Sequence, residues 1–139
     1  MPPSSPKPAA VRAIDTNIVV RFLTGDDAAQ AAKARDLITE GEIFVATSVL
    51  LESEWVLRGA YDFTAEQVVS ALRGFAGLPG VTLEDAGLAS RALDWAEGGM
   101  DFADALHLGR AEGCSAFVTF DRRLAKLAVG LSEIEVVMA

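Results

Sequence analysis

Acidic residues at the ends of predicted strands are the first feature of this sequence that could carry chemistry. Asp15 directly follows the predicted strand at residues 11–14, and Asp121 closely follows the predicted strand at 116–119. Each acid stands where a strand passes into a helix, and there a carboxylate can cap free backbone N–H groups. If these two strands are neighbours in a parallel sheet, the two carboxylates converge at one edge of it.

Two further acids, Asp101 and Asp104, lie three residues apart at the start of a predicted helix. Side chains with this spacing share one face of a helix. Capping explains only one of the two, and Asp101 fits the cap position. We therefore expect the Asp104 carboxylate to be free to face the same edge of the sheet.

A pair of glutamates, Glu52 and Glu54, lies in an otherwise apolar predicted helix. A separation of two residues turns the side chains by about 200°, so they face nearly opposite ways. Glu54 has Arg58 four residues later, which predicts a surface ion pair. Glu52 shares its face with Trp55 and Val56, where an unpaired carboxylate is costly. We therefore expect Glu52 to belong to the site, with simple exposure at the surface as the alternative.

Carboxylates brought together repel one another, so a cluster of this kind favours a bound cation. Oxygen ligands select Mg²⁺ or Mn²⁺ over zinc. These ions activate water and stabilise the transition state of phosphoryl transfer. The residue types therefore indicate metal-dependent hydrolysis of a phosphodiester. The acids that this interpretation places in the site are Asp15, Glu52, Asp104 and Asp121.

The elements that must position these acids alternate short β-branched runs with helical stretches, which is typical of an α/β fold with a mostly parallel sheet. Strands are predicted at residues 11–14, 43–46, 81–83, 116–119 and 134–137, and helices between them. Residues 1–10 are rich in proline and are predicted to form a loose leader. Residues 11–139 are predicted to form one domain.

The composition limits the chemistry and the compartment. A net charge of -8 excludes a protein whose whole surface binds nucleic acid, so any such contact must be local. The single cysteine excludes an internal disulfide, and the single histidine, His107, excludes a histidine-pair mechanism. Because the sequence shows neither a secretory signal nor a long apolar segment, we expect a cytoplasmic protein without membrane contact.

Four short blocks carry a family resemblance, namely Ile14 to Asn17, Leu51 to Leu57, Asp101 to His107 and Thr119 to Arg122. In order and spacing they resemble the blocks of PIN-domain ribonucleases of the VapC toxin type, over about residues 11–137. The resemblance implies a central parallel sheet of order 3-2-1-4-5 flanked by helices, with Mg²⁺ or Mn²⁺ held by acids. It also implies endonucleolytic cleavage of RNA, a homodimer, and inhibition by a VapB-type antitoxin.

The resemblance also implies roles for individual residues. The family's acids fall on Asp15, Glu52, Asp104 and Asp121. Of these, Asp15 and Asp104 would hold the metal directly, and Asp121 would hold it directly or through water. Glu52 would bind metal or orient the attacking water. The residues that match an additional acid and the supporting polar positions are Asp101, Thr16, Asn17 and Thr119.

Three cations follow Asp121 closely and are candidates to hold the RNA backbone. They are Arg122, Arg123 and Lys126. The alternative is an ordinary exposed basic face of a helix. In either case the positive charge is local, which would allow an acidic chain to bind a polyanion.

Two other classes of protein fit the sequence poorly, and two further alternatives stay open. An aspartyl phosphatase requires a second acid two residues after the first, where this chain has Asn17. A receiver domain ends a strand with a late lysine, whereas Lys126 follows an acid. The remaining alternatives are a PIN-like protein-binding module with weak catalysis, and an acid-cluster phosphohydrolase with another substrate. Metal binding and RNA cleavage discriminate among these functions.

Overall fold

The computed structural model describes residues 10–139, in which helices and strands alternate. The predicted leader falls almost wholly outside these residues. The elements are β1 (Val11–Ala13), α1 (Thr16–Thr24), α2 (Ala28–Glu40), β2 (Glu42–Val45), α3 (Thr47–Ala60), α4 (Ala65–Ala76), β3 (Val81–Leu83), α5 (Ala86–Glu97), α6 (Phe102–Arg110), β4 (Ala116–Thr119), α7 (Arg122–Leu127) and β5 (Glu135–Met138). The predicted α/β class is confirmed.

All strand pairs are parallel, as predicted, and they form two ladders. β2 lies between β1 and β3, and β4 pairs with β5. Each ladder agrees with the predicted order 3-2-1-4-5, but within residues 10–139 no ladder joins β1 to β4. Both strands are short, so pairing between them would add few hydrogen bonds. Val11 of β1 and Val118 of β4 are each 61% exposed.

Local signals explain several helix ends. Gly25 has φ 66° and ends α1, where its N–H donates to the carbonyl of Arg21 at 2.9 Å. Thr64 starts α4 with a capping box that it shares with Gln67. Helix α3 begins at Thr47 without a side-chain cap of its own. Instead, the Glu84 carboxylate that follows β3 accepts a hydrogen bond from the Thr47 N–H at 2.9 Å.

The packing of α6 against α5 fixes the helix that carries Asp104. Phe102 and Leu108 of α6 are 1% and 0% exposed and belong to the larger apolar core. Gly109 lets the helices approach closely, because a Cβ at this position would lie 2.5 Å from Cδ1 of Leu88. A second, smaller core lies around α1, α2 and β2.

Within the described residues, no helix is both long and apolar enough to span a membrane.

Candidate active site

Three of the predicted acids are helix caps. Asp15 caps α1 by accepting a hydrogen bond from Thr16 N–H at 2.7 Å. Asp101 caps α6 through Asp104 N–H at 3.2 Å, and Asp121 caps α7 through Leu124 N–H at 3.0 Å. Capping therefore explains the local position of each acid. It also holds each carboxylate at the N-terminus of its helix.

A cavity of about 310 Å³ lies among α3, α4, α5, α6 and α7. We call it the acidic cavity. Its apolar walls include the buried side chains of Val68, Leu93 and Leu124. Walls of this kind strengthen the electric field of charged groups beside them. The charged residues that line the cavity are Glu54, Arg58, Asp101, Asp104, Asp121 and Arg123.

Asp104 is the carboxylate most affected by this environment. Partial burial raises its pKa above the ordinary range for aspartate, and the negative charges of Asp101 and Asp121 raise it further. His107 on the same helix opposes this effect. The structure therefore confirms the expectation that Asp101 serves as the cap of α6, and it places Asp104 in the lining of the acidic cavity.

Glu54 and Arg58 are cavity residues that sequence reasoning placed on the surface. The Glu54 side chain is 7% exposed, and it accepts hydrogen bonds from Nε of Arg58 and, at 3.3 Å, from Nη2. Arg58 Nη2 also lies 3.7 Å from Oδ2 of Asp101. The hydrogen bond that Arg58 donates to Glu54 and the charges of both acids raise the pKa of Arg58, despite partial burial.

The prediction that Glu52 shares an apolar face of α3 while Glu54 lies at the surface is therefore wrong. Glu52 is exposed, Trp55 is 68% exposed, and Glu54 is 5% exposed. The reason is that the buried stripe of α3 runs through Leu50, Ser53, Glu54 and Leu57. The i, i+4 spacing of Glu54 and Arg58 was visible in the sequence, but the depth of this pair was not. The catalytic role of Glu52 stays a prediction from the family motif.

The structure does not place the first block in the lining of the acidic cavity. Neither Asp15 nor Glu52 is among the residues that line the acidic cavity. Asp15 and Asn17 are exposed, and Thr16 is buried. The expected convergence of Asp15 and Asp121 depends on β1 and β4 being neighbours, and the described strands form no such ladder.

The residues around Asp121 are arranged at the junction of β4 and α7. Thr119 Oγ1 accepts a hydrogen bond from the Asp121 N–H at 3.0 Å, which fixes the turn. Arg122, Arg123 and Lys126 are all exposed on α7. Only Arg123 lines the acidic cavity, and its Nη2 lies 3.4 Å from the Gly99 carbonyl that accepts its hydrogen bond.

The donors of the acidic cavity suit a hard divalent cation in their chemistry, because they are carboxylate oxygens, the ligands that such cations prefer. Their geometry does not form a ready-made site. Among residues 10–139, no three His, Cys, Asp or Glu side chains are grouped so that they could hold a metal ion. Support for metal binding thus comes from the donor types alone.

Comparison with known protein families matched residues 13–130 to the family described as PIN domain. Comparison with curated proteins gave no match. PIN domains are generally nucleases and form a single α/β fold. The match covers most of the chain, from the end of β1 to beyond α7, and includes all four sequence blocks. The chain therefore belongs to the PIN domain family.

Proposed function

We propose that this protein is a metal-dependent endoribonuclease and the toxin of a type II toxin–antitoxin pair, acting in the cytoplasm. The observation that carries the proposal is the acidic cavity, which the carboxylates of Glu54, Asp101, Asp104 and Asp121 line. Like charges that oppose one another in this way favour the binding of a cation. Membership of the PIN family supports nuclease activity, and the four sequence blocks support the VapC type.

In this proposal Asp104 and Asp121 hold the cation, together with Asp15, which the family motif assigns to the same role. Mg²⁺ or Mn²⁺ supplies an activated water and offsets the charge of the phosphodiester when it is bound. Asp101 is a supporting residue because it fixes the first turn of α6, on which Asp104 lies. Thr119 supports Asp121 in the same manner through its hydroxyl. Thr16 and Asn17 are proposed to support Asp15.

Two glutamates of α3 are candidates for orienting the attacking water. Glu52 matches the family motif, whereas Glu54 lines the cavity. Burial in the cavity favours Glu54, which Arg58 already holds in one orientation. Kinetic comparison of the two variants, Glu52→Gln and Glu54→Gln, would decide between them, because loss of a transition-state contact lowers kcat.

The RNA backbone is proposed to contact the exposed cations of α7, namely Arg122, Arg123 and Lys126. Arg123 is the one that lines the cavity, and its guanidinium can reach a phosphate there while the other two extend the positive surface. This local charge would offset the net charge of -8 for a polyanionic substrate.

The partners follow from the sequence resemblance and are proposed on that ground. They are a VapB-type antitoxin and a second copy of this chain in a homodimer. The exposed Trp55 of α3 is an apolar side chain that such a partner could cover.

A cleavage assay with the purified full chain tests the proposed activity. We expect Mg²⁺ or Mn²⁺ to permit internal cuts in an RNA substrate and EDTA to abolish them. Asp104→Asn should keep the fold, as checked by circular dichroism, and lose cleavage. Asp36→Asn, which changes an exposed acid on α2, is the matched control and should cleave normally. Cleavage by Asp104→Asn at the rate of the unaltered protein would refute the assignment.

A further inference from the structure

Arg58 is a cation that lies among the carboxylates of the acidic cavity. Its Nε and Nη2 donate to the two carboxylate oxygens of Glu54, the second at 3.3 Å, and Nη2 also lies 3.7 Å from Oδ2 of Asp101. One guanidinium thus faces two of the four carboxylates that line the cavity. A divalent ion on either of these carboxylates would lie close to the arginine, and the two positive charges would repel each other.

The position of Arg58 is fixed by the burial of its partner. The Glu54 side chain is 7% exposed, so loss of the arginine would leave a buried negative charge without compensation. The spacing of four residues puts both side chains on one face of α3. The planar guanidinium matches both carboxylate oxygens and stays charged at neutral pH. Arg58 is therefore a permanent positive charge of the cavity.

The other two carboxylates of the cavity are those of Asp104 and Asp121. Neither takes part in an ion pair among residues 10–139. In proteins Mg²⁺ is commonly bound by one or two carboxylates, while waters and substrate phosphates complete its coordination. Two carboxylates without a cationic partner are therefore enough for one ion. A second ion in this cavity would need the oxygens of Glu54 or Asp101.

We infer that the acidic cavity binds a single divalent cation and that Arg58 takes the place of a second one. The inference rests on the proposed nuclease function and specifies the positive charges of its site. Two-metal enzymes hold two ions about 3.5–4 Å apart, which offset the charge on the attacking and leaving oxygens of a phosphodiester. An arginine can offset such charge as well. In this chain Arg58 supplies that second positive charge, and Glu54 holds it in place.

Titration of Mn²⁺ into the metal-free full chain, followed by electron paramagnetic resonance of the unbound ion, counts the bound ions without any cleavage step. We expect one ion per chain in the unaltered protein. Arg58→Met should bind two, because Glu54 and Asp101 are then released as ligands, whereas Arg58→Lys keeps the charge and should bind one. Arg123→Met is the matched control and should also bind one, since Arg123 lines the same cavity but is paired with a carbonyl rather than with an acid.

A second substitution covers the case in which Arg58→Met does not fold because Glu54 is left unpaired. Arg58→Gln also lacks the charge but can still donate a hydrogen bond to Glu54, and it should bind two ions. Circular dichroism checks that each variant is folded. Combining Arg58→Gln with Glu54→Gln removes the released carboxylate and should return the count to one ion.

Two ions per chain in the unaltered protein would overturn the inference and leave the metal-dependent nuclease intact. One ion in folded Arg58→Gln would also overturn it, and so would two ions in Arg123→Met, because any lost positive charge would then have the same effect. Absence of Mn²⁺ binding in the unaltered protein would refute the proposed metal dependence together with this inference. An unaltered protein that binds one ion but cuts no RNA would refute the nuclease function alone.

Discussion

Replacement of Glu54 by glutamine should destabilise the protein, although the sequence alone predicts only an exposed pair contributing about 0.2–0.5 kcal/mol. The Glu54 side chain is 7% exposed and accepts two hydrogen bonds from Arg58. The substitution keeps the size and one acceptor but removes the negative charge. The perturbation is therefore confined to the electrostatic part of this contact.

The magnitude follows from the burial of the two partners. A hydrogen bond to a charged group contributes about 1.5–3 kcal/mol and a neutral one about 0.5–1.5 kcal/mol. The Arg58 side chain is 37% exposed, so water compensates part of the loss, and the cost stays below the about 3–5 kcal/mol of a fully buried pair. We expect Glu54→Gln to lower the free energy of unfolding by about 1–2 kcal/mol.

Urea denaturation monitored by circular dichroism measures this effect, with a shift in Tm of a few degrees as an independent readout. Glu52→Gln is the matched control on the same helix and should change the free energy of unfolding by less than about 0.5 kcal/mol. Because the Glu54 carboxylate is 7% exposed, 0.5 M salt should screen this contact less than it screens an ion pair at the surface. A loss from Glu52→Gln that equals that of Glu54→Gln would show that the assigned faces of α3 are incorrect.

Three further predictions concern stability and metal access. Gly80→Ala should destabilise the fold by at least about 1 kcal/mol more than Gly25→Ala. Both positions have positive φ, but only at Gly80 would an added Cβ clash, since it would lie 2.8 Å from the Gly41 carbonyl oxygen. Equal Tm values for the two variants would contradict this. Because the folded state raises the pKa of Asp104, its ionised form opposes folding, so without divalent ions Asp104→Asn should melt above the unaltered protein at neutral pH. The difference should shrink as the pH falls through the carboxylate range, and a difference independent of pH would argue against this cause. Finally, if an arginine of the proposed VapB-type antitoxin enters the acidic cavity, the complex with that antitoxin should bind Mn²⁺ more weakly than the free chain. Equal affinities by titration calorimetry would refute occlusion.

The sequence was sufficient to predict which acids sit at helix starts. The chain positions of Asp15, Asp101 and Asp121 define caps, and capping depends on local backbone geometry that a few residues determine. The distinction between Asp101 as a cap and Asp104 as a free carboxylate followed from their spacing alone. Parallel pairing of the strands was also predictable, because helices alternate with strands along the chain.

The burial of Glu54 was not predictable from hydrophobic periodicity. The buried stripe of α3 contains two polar residues, Ser53 and Glu54, between Leu50 and Leu57. The Ser53 hydroxyl donates to the Val49 carbonyl at 2.7 Å, so it is satisfied within the helix. Arg58 satisfies Glu54 in a comparable way. Polar residues whose hydrogen bonds are made within the same helix can occupy its buried face, and a pattern of apolar residues does not reveal them.

Whether β1 and β4 form a ladder was equally beyond sequence reasoning, and among residues 10–139 they form none. Strand order was available only through the family resemblance, since short apolar runs do not encode their neighbours. In the structure β1 has three residues and pairs only with β2 among the described strands. The expected approach of Asp15 to the other acids depends on a ladder between β1 and β4. Because the described strands form no such ladder, the role of Asp15 stays a prediction.

The pairing of β4 with β5 has a consequence for the order in which parts of the protein fold during synthesis. The strand that leads to Asp121 is held by β5, and the Ala139 N–H donates to the Thr119 carbonyl at 2.9 Å. Glu54 and Asp104 leave the ribosome earlier than β5 does. A nascent chain can therefore fold its earlier helices while the support for Asp121 is still missing. Completion of the acidic cavity thus has to wait for the synthesis of β5, and a chain without β5 should lack this support for Asp121.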